Sequence, residues 1–432
     1  MSGTDIMTHS KLILHPDPSR TILRPFNPEA PASFVVKDHP RAQRIADRIL
    51  ALDEEQLGRE LDRIILDLSE RHRDLEEVLL RRFTEVNGVT IDCDAIRSDQ
   101  AIVIGAYFCE EYSFEAAALF NPSIVLHPDQ SEMPIGTIRF ILSLRGIGEG
   151  HVSSITFRTG TWASDNAVSV DPPSATAVAP RIEEAEGENN GGSVTRLHCG
   201  GSRDVSETVL FPVTPSQRQG VEDLRLVRFT EVDGAVQYLG TYTAFSGAAA
   251  RSELLRTDDF RAFEMRALEG PPAESKGMAL FPRRIDGRYM MLGRQDNENI
   301  WLHASDDLYS WKDGYQIIRP EWTWEFVQIG NCGSPIEIDE GWLVITHGVG
   351  AARNYCIGAC LLDKRDASKV LARMMLPLVH PSAKERDGYV PNVVYSCGAL
   401  VHDRTLLLPY GVADNFATFA SVPLSDLLAA MT

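Results

Sequence analysis

A short acidic turn, Glu222-Asp223-Leu224-Arg225, stands upstream of a lysine, an arginine, a histidine and a tyrosine: Lys276, Arg294, His347 and Tyr355. The turn enters an apolar strand, Leu226-Val227-Arg228-Phe229. Three of the later residues sit in or beside short apolar runs: Lys276 through Pro282, Met291-Leu292-Gly293-Arg294, and Thr346-His347-Gly348-Val349. Basic and phenolic groups in this order are expected to converge on one carboxylate. The set suits one acid, one sugar and one anion, and so points to a glycosidic bond cleaved by phosphate rather than by water.

Residues this far apart need a fold that gathers them, and the chain carries a repeat that would do so. A turn followed by alternating apolar residues recurs at Gly136–Arg145, Gly234–Tyr242, Gly287–Arg294, Gly341–His347 and Asp403–Tyr410. The last four copies start about 50 to 60 residues apart. The longer first gap holds an acidic, Gly- and Asn-rich insertion, Glu183–Ser193, expected to be exposed. A second echo pairs Thr257-Asp258-Asp259-Phe260 with Ser305-Asp306-Asp307-Leu308. Repeats of roughly 20–50 residues mark solenoids or propellers, and four-stranded blades take about 40–50 residues each. The repeat therefore predicts a mainly β fold, a five-bladed β-propeller over 121–432, with a β-sandwich carrying coincidental hairpins as the competing arrangement. In a propeller the inner-strand ends would bring Arg145, Asp223, Arg294, His347 and Asp414 to one axial mouth.

The preceding chain has another period. Residues 1–36 are Pro-rich and read as an extended segment, and 37–120 read as a helical segment. Asp53 with Gln56 has capping-box spacing, and Leu57, Leu61, Ile64, Ile65 and Leu68 then share one helix face. Leu75, Val78, Leu79 and Phe83 make a second amphipathic run, ended by Asn87-Gly88. A third helix is expected from a Ser98 cap to about Leu119, stopped by Asn121-Pro122. This segment is expected to pack on the propeller or to form a homo-oligomer interface.

The chain has 432 residues, 44% of them apolar and 24% charged, with a net charge of −19. That balance disfavours a sequence-independent nucleic-acid binder, which needs a basic surface. An anion site must then be local, built from a few convergent cations. The cysteines at 93, 109, 199, 332, 356, 360 and 397 form no CxxC pair, and Cys356 and Cys360 alternate as packed core residues would. No signal peptide or long apolar run is visible, so a cytoplasmic protein with no membrane partner is expected. Histidines show no HxH or HxxxH cluster, and Gly146 through Gly150 lacks the context of a nucleotide loop, so neither metal nor organic cofactor is expected.

The motifs together resemble glycoside hydrolase family 130, the β-mannoside phosphorylases and β-1,2-mannosidases. The resemblance rests on Phe120-Asn121-Pro122-Ser123, the Glu222–Arg225 turn, Lys276 through Pro282, Met291–Arg294, His347-Gly348-Val349, Val390-Pro391-Asn392-Val393-Val394 and Tyr410-Gly411-Val412-Ala413-Asp414, and runs from about Phe120 to Ala430. The helical segment, with Gly105-Ala106-Tyr107-Phe108, resembles that of longer members, some acting on β-1,2-linked oligomannans. The resemblance implies a five-bladed propeller and an inverting reaction. It implies Asp223 as proton donor, acting through a sugar hydroxyl, and Lys276, Arg294, His347 and Tyr355 as phosphate ligands. It implies mannose contacts at Asn121, Arg145 and Asp414, with Arg225 and Asn392 also at the substrate. Leu224 departs from the family's proline, and Lys276 stands where several members have arginine, which keeps the charge but loses bidentate geometry.

An inverting cleavage needs one proton donor and one nucleophile on the opposite face of the sugar ring. Water needs a second carboxylate as base; phosphate needs none, but must be held against its own charge. No phosphate-site position here is Glu or Asp. Phosphorolysis is therefore expected, and the resemblance implies as partners a β-mannoside, β-1,2-linked oligomannan or mannobiose first, and inorganic phosphate as co-substrate, giving α-mannose 1-phosphate. An inverting β-mannosidase and a non-catalytic carbohydrate-binding propeller remain as alternatives. Burial would raise the pKa of Asp223 and nearby cations would lower it, and the sequence leaves that balance open. Trp322, Trp324 and Tyr389 are candidates to stack on an acceptor sugar.

Overall fold

The computed structural model describes residues 6–28, 40–86, 89–90, 96–178, 180–186, 193–312, 314–382 and 388–432. The chain divides into two compact units. One comprises Ser19–Ser113 with Ser174–Ala179; the other comprises Met1–Pro18, Phe114–Pro173 and Pro180–Thr432.

The larger unit is mainly β, and one antiparallel motif recurs in it. Strands Ala118–Leu126, Thr137–Ile147, Ser153–Ala163 and Val168–Val170 pair in sequence order. So do Gly220–Thr230, Val236–Phe245, Ala250–Thr257 and Ala262–Ala267. A third group runs Ala279–Leu280, Tyr289–Gly293, Ile300–Ser305, Tyr315–Ile318. A fourth runs Gln328–Asn331, Gly341–Val349, Tyr355–Leu362, Val370–Arg373. In the fifth, Val394–Tyr395, Thr405–Val412 and Phe416–Pro423 are completed by Thr8–Leu14 from the other end of the chain. The extended N-terminal segment is thus in part a sheet strand, a pairing that proline content alone does not reveal.

Each sequence repeat is the second strand of its group. A tight turn opens each repeat, which is why glycine recurs there: Gly136, Gly234 and Gly287 have φ of 76°, 87° and 78°. The Thr257 and Ser305 echoes occupy the turn after the third strand, where Thr257 Oγ1 accepts from Phe260 N–H and Ser305 Oγ from Asp307 N–H. In the insertion, Arg181–Glu186 and Ser193–His198 pair as a hairpin, the latter also joining Ala262–Ala267. Its tip, 187–192, lies outside the described residues.

The core of this unit lies between successive groups. One cluster joins the first and second groups through Ile141, Phe157, Leu226 and Tyr242. Others join second to third through Phe229, Leu239, Met278 and Met291, and third to fourth through Leu292, Leu302, Trp342 and Val344. Leu343, Ile357, Leu406 and Leu408 join fourth to fifth, and Phe140, Leu142, Leu407 and Phe419 join fifth to first. Cys356 and Cys360 are buried in Tyr355–Leu362 as alternation predicted.

The smaller unit packs helices Arg41–Leu50, Glu54–Ser69, Leu75–Glu85 and Ser98–Tyr107 on one another. The Asp53 capping box forms: Asp53 Oδ1 accepts from Gln56 N–H at 2.8 Å, and Gln56 Oε1 accepts from Asp53 N–H at 3.1 Å. Leu57, Leu61, Ile64, Ile65 and Leu68 all face the core. The Asn87-Gly88 stop lies outside the described residues. The helix expected from a Ser98 cap to about Leu119 is shorter: Arg97 is its cap and Tyr107 its last residue. Cys109–Ser113 then pairs with Thr21–Pro25, and Ala118–Leu126 is already a sheet strand. Strand pairing overrode helix propensity there, so Asn121 ends no helix. No helix among the described residues is long and apolar enough to cross a membrane.

Candidate active site

Two bulges build the centre of the site. The first strands Ala118–Leu126 and Gly220–Thr230 each slip register against their neighbours, between Phe120 and Ser123 and between Glu222 and Arg225. The displaced residues, Asn121 and Asp223, take left-handed backbone at φ 48° and 52°. Asn and Asp tolerate that region best among residues with a side chain, and a bulge re-aims the side chain it carries. The two side chains meet: Asn121 Nδ2 donates to Asp223 Oδ1 at 2.8 Å.

Arg145, near the end of the paired second strand, holds both acids of the turn. Nη1 donates to Asp223 Oδ1 at 3.2 Å, Nη2 to Glu222 Oε1 at 2.7 Å, and Nε to Ser153 Oγ at 2.9 Å. Arg225 sits beneath. Its guanidinium is buried and donates to the Asp223 carbonyl, the Cys332 carbonyl and the Tyr395 hydroxyl at 2.9, 2.9 and 3.0 Å. Every one of its nitrogens has a protein acceptor, so its geometry is that of a strut under the Asp223 turn rather than of an open sugar contact.

These contacts settle the balance that the sequence left open at Asp223. Burial raises its pKa, but the charges of Arg145 and Arg225, the Asn121 bond and Lys276 outweigh that and hold it near 2. Glu222 is shifted upward, because burial and the Asp223 charge outweigh its Arg145 partner. Asp414 follows Ala413 in the left-handed turn after Thr405–Val412. Burial, with Asp223 and Glu222 nearby, raises it to about 6 against Arg145 and Arg353. A carboxyl that keeps its proton up to about pH 6 thus lies within electrostatic reach of one that is ionised well below that.

A cationic and aromatic cluster adjoins this centre. Arg294, 7% exposed, donates through Nη1 to His347 Nε2 at 3.2 Å. The Lys276-Gly277 turn closes over that arginine: a Cβ on Gly277, at φ 96°, would lie 2.6 Å from Arg294 Nε. Asn331 Nδ2 fixes the same turn by donating to the Gly277 carbonyl at 2.9 Å. His347 is fully buried, its ring parallel to that of Tyr355 at 6.2 Å between centroids. Burial, then Arg294 and Arg225, push its pKa well below the usual imidazole value. Lys276 is exposed and within electrostatic reach of both acids of the turn. Asn392, at φ 64°, accepts from Tyr355 N–H through its carbonyl at 2.9 Å.

The expected residues therefore form one connected network. Its bridge is Tyr395, which takes the Arg225 hydrogen bond and packs edge-on to His347 at 4.9 Å. Sequence reasoning missed Tyr395, although it follows directly on the Val390–Val394 motif. It also missed Gln328, whose Nε2 lies 3.4 Å from His347 Nε2, and Arg353, whose charge bears on Asp414. The expected positions at strand ends hold for Arg145, Arg294 and His347, while Asp223 sits on a bulge early in its strand. Trp322 and Trp324 do not join the network. Trp324 fills the space above Gly348 and Gly358 and donates to the Met375 carbonyl, and Trp322 lies under Arg373. A cavity of about 310 Å³ in the helical unit, lined by Ile64, Leu68, Tyr107 and Glu111 among others, holds none of the expected residues.

Comparison with known proteins bears on this arrangement. The profile of glycoside hydrolase family 130, described as beta-1,4-mannooligosaccharide phosphorylase, matches residues 202–432. A 1,2-beta-oligomannan phosphorylase of Thermoanaerobacter sp. (strain X514) is 34% identical over 251 residues, which cover 54% of this chain and 80% of that protein. A beta-1,2-mannobiose phosphorylase of Listeria innocua is 33% identical over 227 residues, 51% of this chain and 62% of its own length. A solved glycosyl hydrolase of Bacteroides ovatus superposes with a TM-score of 0.52 at 17% identity, over 72% of this chain and 86% of that one, a likeness of fold.

Proposed function

The chain belongs to glycoside hydrolase family 130 and is a glycoside phosphorylase of β-mannosides, and from that premise we propose that it cleaves β-1,2-linked manno-oligosaccharides with inorganic phosphate. The observation that carries the proposal is the Lys276, Arg294, His347 and Tyr355 cluster beside a carboxylate turn, with no Asp or Glu among those four positions. The linkage rests on the two relatives named for β-1,2 substrates.

On this reading phosphate lies against Lys276 and Arg294, with the Tyr355 hydroxyl beside it. One phosphate oxygen attacks C1 of the mannosyl unit as the C1–O bond to the leaving sugar breaks. The leaving oxygen takes a proton, and the products are α-mannose 1-phosphate and a shortened saccharide. Asp223 delivers the proton, relayed by a mannose hydroxyl, with Asn121, Arg145, Asp414 and Asn392 holding the sugar. A carboxyl held near pH 2 in the free site must gain proton affinity before it can donate. A phosphate dianion beside Lys276 and Arg294 offsets the cations that hold it down, so binding of the co-substrate itself primes the acid. No metal or organic cofactor has a step in this scheme.

The fold reading is a closed five-bladed propeller. The five strand groups share a hydrophobic core pairwise in order, and the fifth shares one with the first. The strand Thr8–Leu14 joins the two ends of the chain within the fifth group.

The test is product analysis with β-1,2-mannobiose and β-1,4-mannosyl-glucose, each with and without inorganic phosphate. Mannose 1-phosphate formed from the β-1,2 disaccharide only when phosphate is present is the expected result. Equal release of free mannose without phosphate would overturn the phosphate-site reading.

A further inference from the structure

We propose that His151 and Tyr389 form the platform on which the leaving sugar, the unit beyond the scissile bond, stacks. The inference rests on the phosphorylase reading and deepens it. Tyr389 is 72% exposed, and its ring lies 5.5 Å from that of His151, tilted by 32°. Each ring is tethered to the catalytic centre by a different route. Tyr389 stands between Gly388, whose backbone packs against Ala413, and Val390, whose N–H donates to the Ala413 carbonyl. Ala413 immediately precedes Asp414. His151 stands two residues before Ser153, the hydroxyl partner of Arg145 Nε. Each ring thus stands on a segment tied to a charged group that acts on Asp223, Asp414 by way of Ala413 and Arg145 by way of Ser153.

The turn that raises His151 is a shaped one. Gly148 enters it at φ −110°, ψ −159°, Gly150 is left-handed, and His151 itself has φ 57°. The same turn recurs after Gly341–Val349: Gly350 enters at φ −108°, ψ −158°, Ala352 is left-handed, and Arg353 has φ 54°. Left-handed backbone at a non-glycine residue costs on the order of 1 kcal/mol and persists where the surroundings enforce it. Two copies of one turn thus lift an imidazole against the Tyr389 ring and a guanidinium within electrostatic reach of Asp414. A face of C–H groups against an aromatic ring, with hydroxyls offered to nitrogen donors, is how a pyranose is held. Phosphate would use neither ring face.

The experiment measures wild type, Tyr389→Ala, Tyr389→Phe and His151→Asn in both directions: phosphorolysis of β-1,2-mannobiose, and synthesis from α-mannose 1-phosphate with mannose as acceptor. Tyr389→Ala is expected to raise the acceptor KM about tenfold, the loss of one stacking face, with the phosphate KM within about twofold of wild type. Tyr389→Phe keeps the ring and stays near wild type. His151→Asn, which tolerates the left-handed turn, raises the acceptor KM severalfold. An unchanged acceptor KM in Tyr389→Ala, or a rise in the phosphate KM instead, would overturn the proposal. If wild type turns over neither substrate, the phosphorylase reading fails by itself. Calorimetric binding of mannobiose to wild type and Tyr389→Ala then decides the platform, equal affinities overturning it and a loss in the variant supporting it.

Discussion

Arg294 Nη1 donates to His347 Nε2 across 3.2 Å. A guanidinium has no acceptor, so Nε2 must carry the lone pair and the imidazole proton must sit on Nδ1. Full burial beside Arg294 and Arg225 favours the same neutral form. His347 therefore contributes orientation rather than charge: it aims the Arg294 guanidinium, the group proposed to meet phosphate. His347→Phe keeps the ring and removes the acceptor, and the phosphate KM should rise roughly tenfold with a smaller change in the mannoside KM. A phosphate KM equal to wild type would show that Arg294 is held by other contacts.

The pH dependence should reside in Asp414. Burial together with Asp223 and Glu222 raises its pKa to about 6, so it loses its proton as pH rises through that value. On the proposed mechanism the ionised form adds a negative charge beside the phosphate anion. kcat/KM for phosphate should accordingly fall above pH 6. Phosphate titrates in a similar range, and Asp414→Asn separates the two: that variant keeps the titration of phosphate but loses the contribution of the enzyme, giving a flatter profile. Superimposable profiles would assign the fall to phosphate alone.

Asp223 and Asp414 should have opposite effects on stability. The folded pKa of Asp223 lies below its ordinary value, so its ionised form stabilises the fold above pH 4 and that contribution is lost as pH falls toward 2. Asp223→Asn should cost about 2 kcal/mol at pH 7 and abolish most turnover, leaving Arg145 without one of its acids. Asp414 has a raised folded pKa, so it lowers stability as pH rises toward and through about 6. Asp414→Asn should add up to about 2 kcal/mol at pH 8 and nothing near pH 3. Thermal melts of both variants at pH 3 and pH 8 read the two signs.

Why so much of this site was legible is clear from its parts. The second strand of each group carries an alternating pattern behind a turn that needs positive φ, so Gly136, Gly234 and Gly287 punctuate the sequence at the places where the sheet folds back. Arg145, Arg294 and His347 lie near or just past the ends of those strands, so finding the strands located them. Family motifs, not periodicity, assigned their roles. The bulges at Asn121 and Asp223 left no pattern, because one extra residue in a short strand looks like any other residue. Tyr395 was hidden for a different reason. It reads as one more apolar strand position, and only the fold shows its hydroxyl under Arg225 and its ring edge against His347. The helix expected to reach Leu119 ended early because Cys109–Ser113 found a partner in Thr21–Pro25, more than eighty residues upstream, which local propensity cannot register.

Gly277 offers a test of how the anion cluster is held. Its φ is 96°, and a Cβ there would lie 2.6 Å from Arg294 Nε and 3.0 Å from Nη2. Alanine would add backbone strain of about 1 kcal/mol and would also push the guanidinium away from Lys276. Gly234 is the control: its φ is 87°, with no other atom within 4 Å of the added Cβ. Both variants should lose comparable stability from the backbone, but only Gly277→Ala should raise the phosphate KM, by tenfold or more if Arg294 is the main phosphate contact. Equal phosphate KM values in the two variants would count against a displaced Arg294 guanidinium as the main phosphate contact.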